Sequence, residues 1–191
     1  MDLQISVFLL FLLFTAGHSL RCYECSSQTG SCANQKETAC TGGSYSCFSS
    51  TGVAQVGGIT TKQMSKGCAD VCHSWSYNYG YMRMYSSCCY TDLCNLQGPP
   101  DPVANGKKCY TCDENGCSKT LSCTGNEDRC FTATDNFEAP LRVGKGCVSK
   151  HLCDSTSSYS CCKGDLCNGA QSVTQSFLFL CCSLLSYFLL H

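Results

Sequence analysis

Cys88-Cys89-Tyr90-Thr91-Asp92-Leu93-Cys94-Asn95 closes the first half of this chain, and Cys161-Cys162-Lys163-Gly164-Asp165-Leu166-Cys167-Asn168 closes the second. Six of the eight positions are identical, and each copy ends a block of ten cysteines. Each block opens on the same phrase, Cys22-Tyr23-Glu24-Cys25 and Cys109-Tyr110-Thr111-Cys112. Between opening and close, Lys66-Gly67-Cys68 is echoed as Lys145-Gly146-Cys147. The chain is therefore an internal duplication, and its architecture is expected to be a pair of similar units.

Composition sets the class. The chain has 22 cysteines in 191 residues, above the roughly 8–10% that marks a disulfide scaffold in a short chain. Such scaffolds belong to oxidising compartments, because the cytosol keeps thiols reduced. The 13 basic and 14 acidic residues balance to a net charge of −1. They build no basic face, so nucleic acid is not an expected partner.

The two ends read as processing signals. Ile5 to Phe14 is a short apolar run, and Gly17 and Ser19 are placed for cleavage after Ser19. That pattern predicts a secretory signal peptide over 1–19, although Met1-Asp2-Leu3-Gln4 lacks the usual basic residue. At the other end, Phe177 to Leu190 is an apolar tail of 14 residues, short of the ~20 that a spanning helix needs. Small residues, a short polar spacer and this tail match a glycosylphosphatidylinositol (GPI) attachment signal. Asn168-Gly169-Ala170 is the expected acceptor triplet, with the lipid on Asn168 and 169–191 as the propeptide. Ala170-Gln171-Ser172 is the competing triplet. A short transmembrane or buried segment is the rival reading of the tail. Cys181 and Cys182 leave with the propeptide, so twenty cysteines remain and every one can pair.

The first block spans 20–95, and its Ser-, Thr-, Gly- and Tyr-rich segments suit strands and turns. Gly57-Gly58 between Val56 and Ile59 predicts a hairpin. Asn78-Tyr79-Gly80 is a second candidate turn. Folding there sets Tyr77 opposite Tyr81 and Trp75 opposite Arg83. Strand side chains alternate faces, so His73, Trp75, Tyr77, Tyr81, Arg83 and Tyr85 are expected on one face, with Ser74, Ser76, Met82 and Met84 on the other. Trp, Tyr and Arg are the types enriched at binding hot spots, which makes Trp75, Tyr77, Tyr81, Arg83 and Tyr85 the candidate binding residues. Arg83 over Trp75 is expected as a cation–π pair. The competing account packs these rings on the neighbouring hairpin as scaffold. Residues 96–108 hold three prolines with glycine and charge and read as a linker. The second block, 109–168, repeats the first with shortened middle segments, and 73–87 corresponds to only 154–160. No stretch has sustained helical periodicity.

Blocks of this size bury too little apolar surface to outweigh chain entropy unaided. Disulfides offset the shortfall by restricting the unfolded chain, typically by ~2–4 kcal/mol each. Cys22/Cys25 and Cys109/Cys112 also have the spacing of a zinc site or a thioredoxin-like centre. The signal peptide and the even count favour a disulfide framework that uses all twenty cysteines. Spacing alone does not choose the pairing. Catalytic signatures are absent from the sequence: no Gly-x-Ser-x-Gly, no His-Glu-x-x-His and no phosphate loop. Of four histidines, His18 and His191 lie in the end segments, and His73 and His151 fall at unmatched positions of the two blocks. A non-enzymatic protein without metal or cofactor is expected.

The Cys-Tyr-x-Cys opening and the Cys-Cys-x-x-Asp-Leu-Cys-Asn close, present twice over 20–168, resemble the lymphocyte-antigen/urokinase-receptor (LU) superfamily. The resemblance implies an all-β, disulfide-rich chain of two tandem three-finger, snake-toxin-like domains. It implies the bonds Cys22–Cys47, Cys25–Cys32, Cys40–Cys68, Cys72–Cys88 and Cys89–Cys94 in the first domain. In the second it implies Cys109–Cys130, Cys112–Cys117, Cys123–Cys147, Cys153–Cys161 and Cys162–Cys167. The fingers would then be 26–39, 48–67 and 73–87, followed by 113–122, 131–146 and 154–160. Asn95 and Asn168 match the family asparagine that hydrogen-bonds across the knot. By the same resemblance the protein is expected to be a GPI-anchored, non-enzymatic, urokinase-receptor-like binder of an extracellular protein at the plasma membrane. A secreted phospholipase inhibitor of the gamma class is the alternative, and a secreted hydrolase or redox enzyme is the third reading.

Overall fold

The computed structural model describes residues 19–135 and 142–169. The apolar N-terminal run, residues 136–141 and the tail from residue 170 lie outside them, and with them the signal-peptide and anchor-signal expectations. The chain divides into two compact units, Met1–Val103 and Ala104–His191.

The first domain holds β1 (Arg21–Ser27), β2 (Lys36–Ala39), β3 (Ser46–Val56), β4 (Ile59–Ala69), β5 (Trp75–Asn78) and β6 (Met82–Cys89). β1 pairs β2 through Glu24 and then crosses to β4 from Cys25 onward. β3 and β4 pair along their whole length, from Ser46↔Ala69 to Val56↔Ile59. The two residues between them, Gly57 and Gly58, have φ of 58° and 80°, the left-handed pair that a two-residue hairpin requires. β6 pairs β3 on one side and β5 on the other, all antiparallel.

The third finger departs from the expected register. Trp75 lies opposite Ser86, Tyr77 opposite Met84 and Asn78 opposite Arg83. The turn runs through 79–82 and is closed by Tyr79 N–H donating to Met82 O at 2.8 Å. Asn78 sits just before it. Its Oδ1 accepts from Gly80 N at 2.8 Å, a local side-chain bond that initiates the turn. The pairing is displaced by three residues from the expected one, and an odd displacement turns a whole strand over. Arg83 and Tyr85 therefore face away from Trp75 and Tyr77, and Met82 and Met84 take their place.

The second domain holds β7 (Ala104–Asp113), β8 (Gly116–Thr124), β9 (Arg129–Asp135), β10 (Arg142–Val148), the helix α1 (Lys150–Ser155) and β11 (Tyr159–Cys162). β7 and β8 form one hairpin. β9 pairs β10 on one side and β11 on the other. Where the first domain has a third hairpin, the shortened 154–160 stretch allows only the end of α1 and the start of β11. Of the stretch expected as a linker, 104–108 belong to β7, and 96–101 lie along the first domain.

Sulfur makes the core. The buried apolar residues of the first domain are Cys22, Cys40, Cys47 and Tyr85; those of the second are Cys109, Cys123, Cys130, Cys147, Phe131 and Val148. In the first domain the disulfides are Cys22–Cys47, Cys25–Cys32, Cys40–Cys68, Cys72–Cys88 and Cys89–Cys94. In the second they are Cys109–Cys130, Cys112–Cys117, Cys123–Cys147, Cys153–Cys161 and Cys162–Cys167. Neither Cys-x-x-Cys pair is bonded to itself, so neither forms a thioredoxin-type dithiol, and no thiolate of the two pairs is left to hold zinc.

The repeated closing motif ties each domain's end to its beginning. Arg21 N donates to Asp92 Oδ1 at 3.0 Å, and Leu93 N donates to Arg21 O at 2.7 Å. In the second domain Lys108 N donates to Asp165 Oδ1 at 3.2 Å, and Leu166 N to Lys108 O at 2.8 Å. Both leucines turn left-handed to do so, at φ of 56° and 53°, a conformation that costs an L-residue roughly 1–2 kcal/mol. Asn95 then bridges two strands. Its Oδ1 accepts from Tyr23 N at 2.8 Å, and its Nδ2 donates to Tyr23 O at 2.9 Å and Phe48 O at 3.0 Å. Asn168 repeats this with Tyr110 N, Tyr110 O and Phe131 O.

Candidate interaction surface

The registers of β3 to β6 sort the second and third fingers of the first domain into two unlike faces. Residues directly opposite on paired strands share a face. One face carries Val56 and Ile59 at the fingertip, then Ala54, Gly52, Met82, Met84, Tyr77 and Trp75. Its polar members are Ser50, Thr61, Gln63, Ser65 and Ser86, and none is charged. All three cations of these strands, Lys62, Lys66 and Arg83, fall on the opposite face.

That charged face is strapped. Residues 96–101 run along it and supply acceptors to its donors. Lys66 is 4% exposed; its Nζ donates to Leu96 O at 2.6 Å and Gln35 Oε1 at 2.8 Å. Ser49 Oγ donates to Gln97 O at 3.4 Å. Tyr85 OH donates to Asp101 Oδ1 at 2.6 Å, and Arg83 Nη2 stands 4.0 Å from the same oxygen. Burial lowers the Lys66 pKa. Burial, the hydrogen bond to Asp101 and that carboxylate's charge push the Tyr85 phenol up to about 12, against smaller opposing effects of Arg83 and Thr51. The hydrogen bond from Tyr85 holds the Asp101 carboxyl below its usual value, helped by the charges of Lys62 and Arg83.

The uncharged face holds a run of aromatic rings. Trp75 and Tyr77 stack with centroids 6.0 Å apart and planes 4° from parallel. Tyr79 meets Tyr77 edge-on at 5.7 Å, and Tyr81 follows at 6.1 Å. Aromatic contacts at these separations hold rings in fixed orientations. The tip is the most exposed part: Val56 is 72%, Ile59 70% and Tyr81 55% exposed. Gln55 N donates to Tyr81 O at 2.8 Å, which joins the tips of the second and third fingers.

The five expected binding residues are thus divided. Trp75 and Tyr77 share the uncharged face, and Tyr81 stands at its tip. Arg83 and Tyr85 belong to the strapped face, where the Arg83 guanidinium lies over the Tyr85 ring at 5.5 Å from its centroid rather than over Trp75. The phenol of Tyr85 is engaged and the residue is 5% exposed. Sequence reasoning missed Tyr79, Met84, Val56 and Ile59. The Gly57-Gly58 turn already fixed Val56 opposite Ile59, and carrying the alternation on from it would have placed both at the tip.

Two family models cover the chain: a u-PAR/Ly-6 domain over residues 18–97 and a snake toxin and toxin-like protein over 108–168. Prostate stem cell antigen of Mus musculus is 36% identical over 90 residues, which are 46% of this chain and 69% of that protein. Lymphocyte antigen 6E of Gallus gallus is 31% identical over 81 residues, 42% of this chain and 64% of that one. The CD59 glycoprotein of Oryctolagus cuniculus is 33% identical over 75 residues, 33% of this chain and 57% of that one. Each alignment spans less than half of this chain, as a single domain of a tandem pair does. With its two disulfide knots closed by the same eight-residue motif, the chain belongs to the u-PAR/Ly-6 (LU) family as a two-domain member.

Proposed function

We propose that this is a non-enzymatic, GPI-anchored protein of the outer plasma-membrane surface that binds another extracellular protein through the uncharged face of its first domain. The observation that carries the reading is the sorting of charge. Every cation of the second and third fingers faces the 96–101 strap, whereas the opposite face presents stacked rings, methionines and an exposed Val56–Ile59–Tyr81 tip. Sheet faces that look into water ordinarily carry charge. Rigid aromatic side chains are the usual anchors of a protein interface. The anchor reading rests on the apolar tail behind Asn168.

Two experiments test it. Expressed in animal cells, the protein should leave the surface on treatment with phosphatidylinositol-specific phospholipase C. Retention supports a transmembrane tail, and full recovery in the medium supports a secreted inhibitor. For the binding face, Trp75→Ala and Tyr81→Ala should weaken capture of the partner by ~1–3 kcal/mol while the thermal midpoint holds. Binding to an uncharged face should also change little from about 0.1 M to about 1 M salt, which shortens the screening length from about 10 to about 3 Å. A steep salt dependence, or variants that lose stability but bind normally per folded molecule, would assign these rings to the scaffold.

A further inference from the structure

Asparagine is followed by glycine at Asn105-Gly106, Asn115-Gly116 and Asn168-Gly169, all in the second domain. The pair has a chemistry of its own. The glycine main-chain nitrogen, with no side chain beside it, attacks the asparagine Cγ. The side-chain amide leaves as ammonia and a succinimide ring forms. Water then opens the ring at either carbonyl. One amide and one water become one carboxylic acid and one ammonia. The product is aspartate, or isoaspartate with the main chain routed through its β-carbon. Attack requires Cγ to turn onto the glycine nitrogen, so hydrogen bonds that hold the amide protect it.

Two of the three amides are held. Asn168 is 4% exposed. Its Oδ1 accepts from Tyr110 N at 2.8 Å, and its Nδ2 donates to Tyr110 O at 2.9 Å and Phe131 O at 2.8 Å. Asn105 Nδ2 donates to Gly125 O at 3.0 Å and Glu127 O at 3.1 Å, and its Oδ1 accepts from Lys107 N at 3.0 Å. Asn115 differs. It lies in the turn between β7 and β8, where Asp113 pairs with Gly116, and it is exposed. Its main-chain N donates to Asp113 Oδ1 at 2.9 Å, but among the described residues no hydrogen bond uses its side-chain amide. Gly116 has a φ of 126°, and a Cβ there would meet nothing within 4 Å. The space beside the attacking nitrogen is therefore open.

We infer that Asn115 is a site of spontaneous deamidation in the folded protein, and that their hydrogen bonds shield Asn105 and Asn168 from the same reaction. The conversion sets a new carboxylate beside Asp113 and Glu114, so three adjacent acids crown the first finger of the second domain. The isoaspartyl form also lengthens the main chain between Cys112 and Cys117, which are bonded to each other. The charge of this finger then changes with the age of the molecule and needs no enzyme. The site is separate from the binding face, which lies on the first domain.

Full-length protein, purified from animal cells with its disulfides intact, tests this by incubation near neutral pH at body temperature. Samples taken over weeks are reduced, alkylated and digested at mildly acidic pH, which suppresses the reaction during handling. Mass spectrometry follows the amide-to-acid mass gain at each of the three pairs. Conversion at Asn115 should outpace that at Asn105 and Asn168 by at least about tenfold, because opening two or three hydrogen bonds of ordinary net strength lowers the reactive population by that factor or more. In protein that is reduced, alkylated and held in denaturant, the three pairs should convert at similar rates. Comparable rates in the folded protein, or an Asn115 that stays intact, overturn the inference. An equal lead for Asn115 in the unfolded chain refutes the shielding. Asn115→Gln is the second arm: the acidic form that accumulates in wild type on isoelectric focusing should be missing, and its appearance in the variant overturns the assignment.

Discussion

Replacing Asn95 by alanine should unlock the first domain while leaving all its disulfides in place. The side chain satisfies three backbone groups at once: Tyr23 N at 2.8 Å, Tyr23 O at 2.9 Å and Phe48 O at 3.0 Å. The residue is 3% exposed, so water does not reach these groups without local opening. At ~1 kcal/mol net per ordinary hydrogen bond, and more for each buried group left unpaired, the loss is ~3 kcal/mol. For a domain of this size that lowers the melting midpoint by roughly 12–24 °C, taking about 4–8 °C per kcal/mol. Asn95→Asp should do more harm than Asn95→Ala. It retains the acceptor for Tyr23 N but sets a carboxylate oxygen against the two carbonyls that Nδ2 now serves. The assay is thermal and denaturant unfolding of the purified, oxidised ectodomain, with a thiol assay to show that the disulfides are intact. A loss below ~0.5 kcal/mol, within the range of neutral surface substitutions, or an aspartate variant as stable as wild type, would refute the bridging role.

Three further outcomes are expected. Titration of Tyr85 is linked to stability: its folded pKa is raised to about 12, so its contribution is complete below the ordinary tyrosine value of about 10 and is lost as pH rises through the folded value. Alkaline unfolding of wild type and Tyr85→Phe should therefore converge across that window, and a constant gap would show that the Asp101 contact is idle. Lys66→Ala, which strips the donor from Leu96 O and Gln35 Oε1, should destabilise the first domain by ~1–3 kcal/mol and expose 96–101 to proteases; unchanged protection of that segment would count against the strap. Alkylation of the mature ectodomain under denaturing, non-reducing conditions should add no mass, and two or more labelled cysteines would contradict the ten-bond framework.

Covalent features of the fold were the legible ones. The repeated motif, the even cysteine count and the glycine pair at 57–58 each name a structure directly: two domains, a cross-linked core and a tight hairpin. The third finger was less legible because Asn78 and Gly80 are both turn formers, and the turn can be centred on either side of Tyr79. Cross-strand packing settled it, putting Met84 against Tyr77 and Tyr85 against Ser76. An error of three residues there inverted the side on which Arg83 and Tyr85 stand and so split the expected face. The strap was illegible for another reason. Lys66 and Ser49 are met by the main-chain carbonyls of Leu96 and Gln97, which any sequence would offer, so composition marked 96–108 only as Pro- and Gly-rich. The aspartate and leucine of the closing motif could be seen to recur, but their work, an accepted backbone N–H and a left-handed turn, is visible only in the folded chain.

The adjacency of each domain's ends has a mechanical consequence. A pull on the first domain through its two ends loads Cys22–Cys47 and Cys89–Cys94, which are coupled where Cys47 lies opposite Cys89. In the second domain the load runs through Cys109–Cys130 and Cys162–Cys167, coupled at Cys130 opposite Cys162. The fingers hang off this path as side branches. Tension along the chain is borne by two sulfur staples and the strand pair between them, so a finger surface keeps its shape while the chain is pulled from its ends.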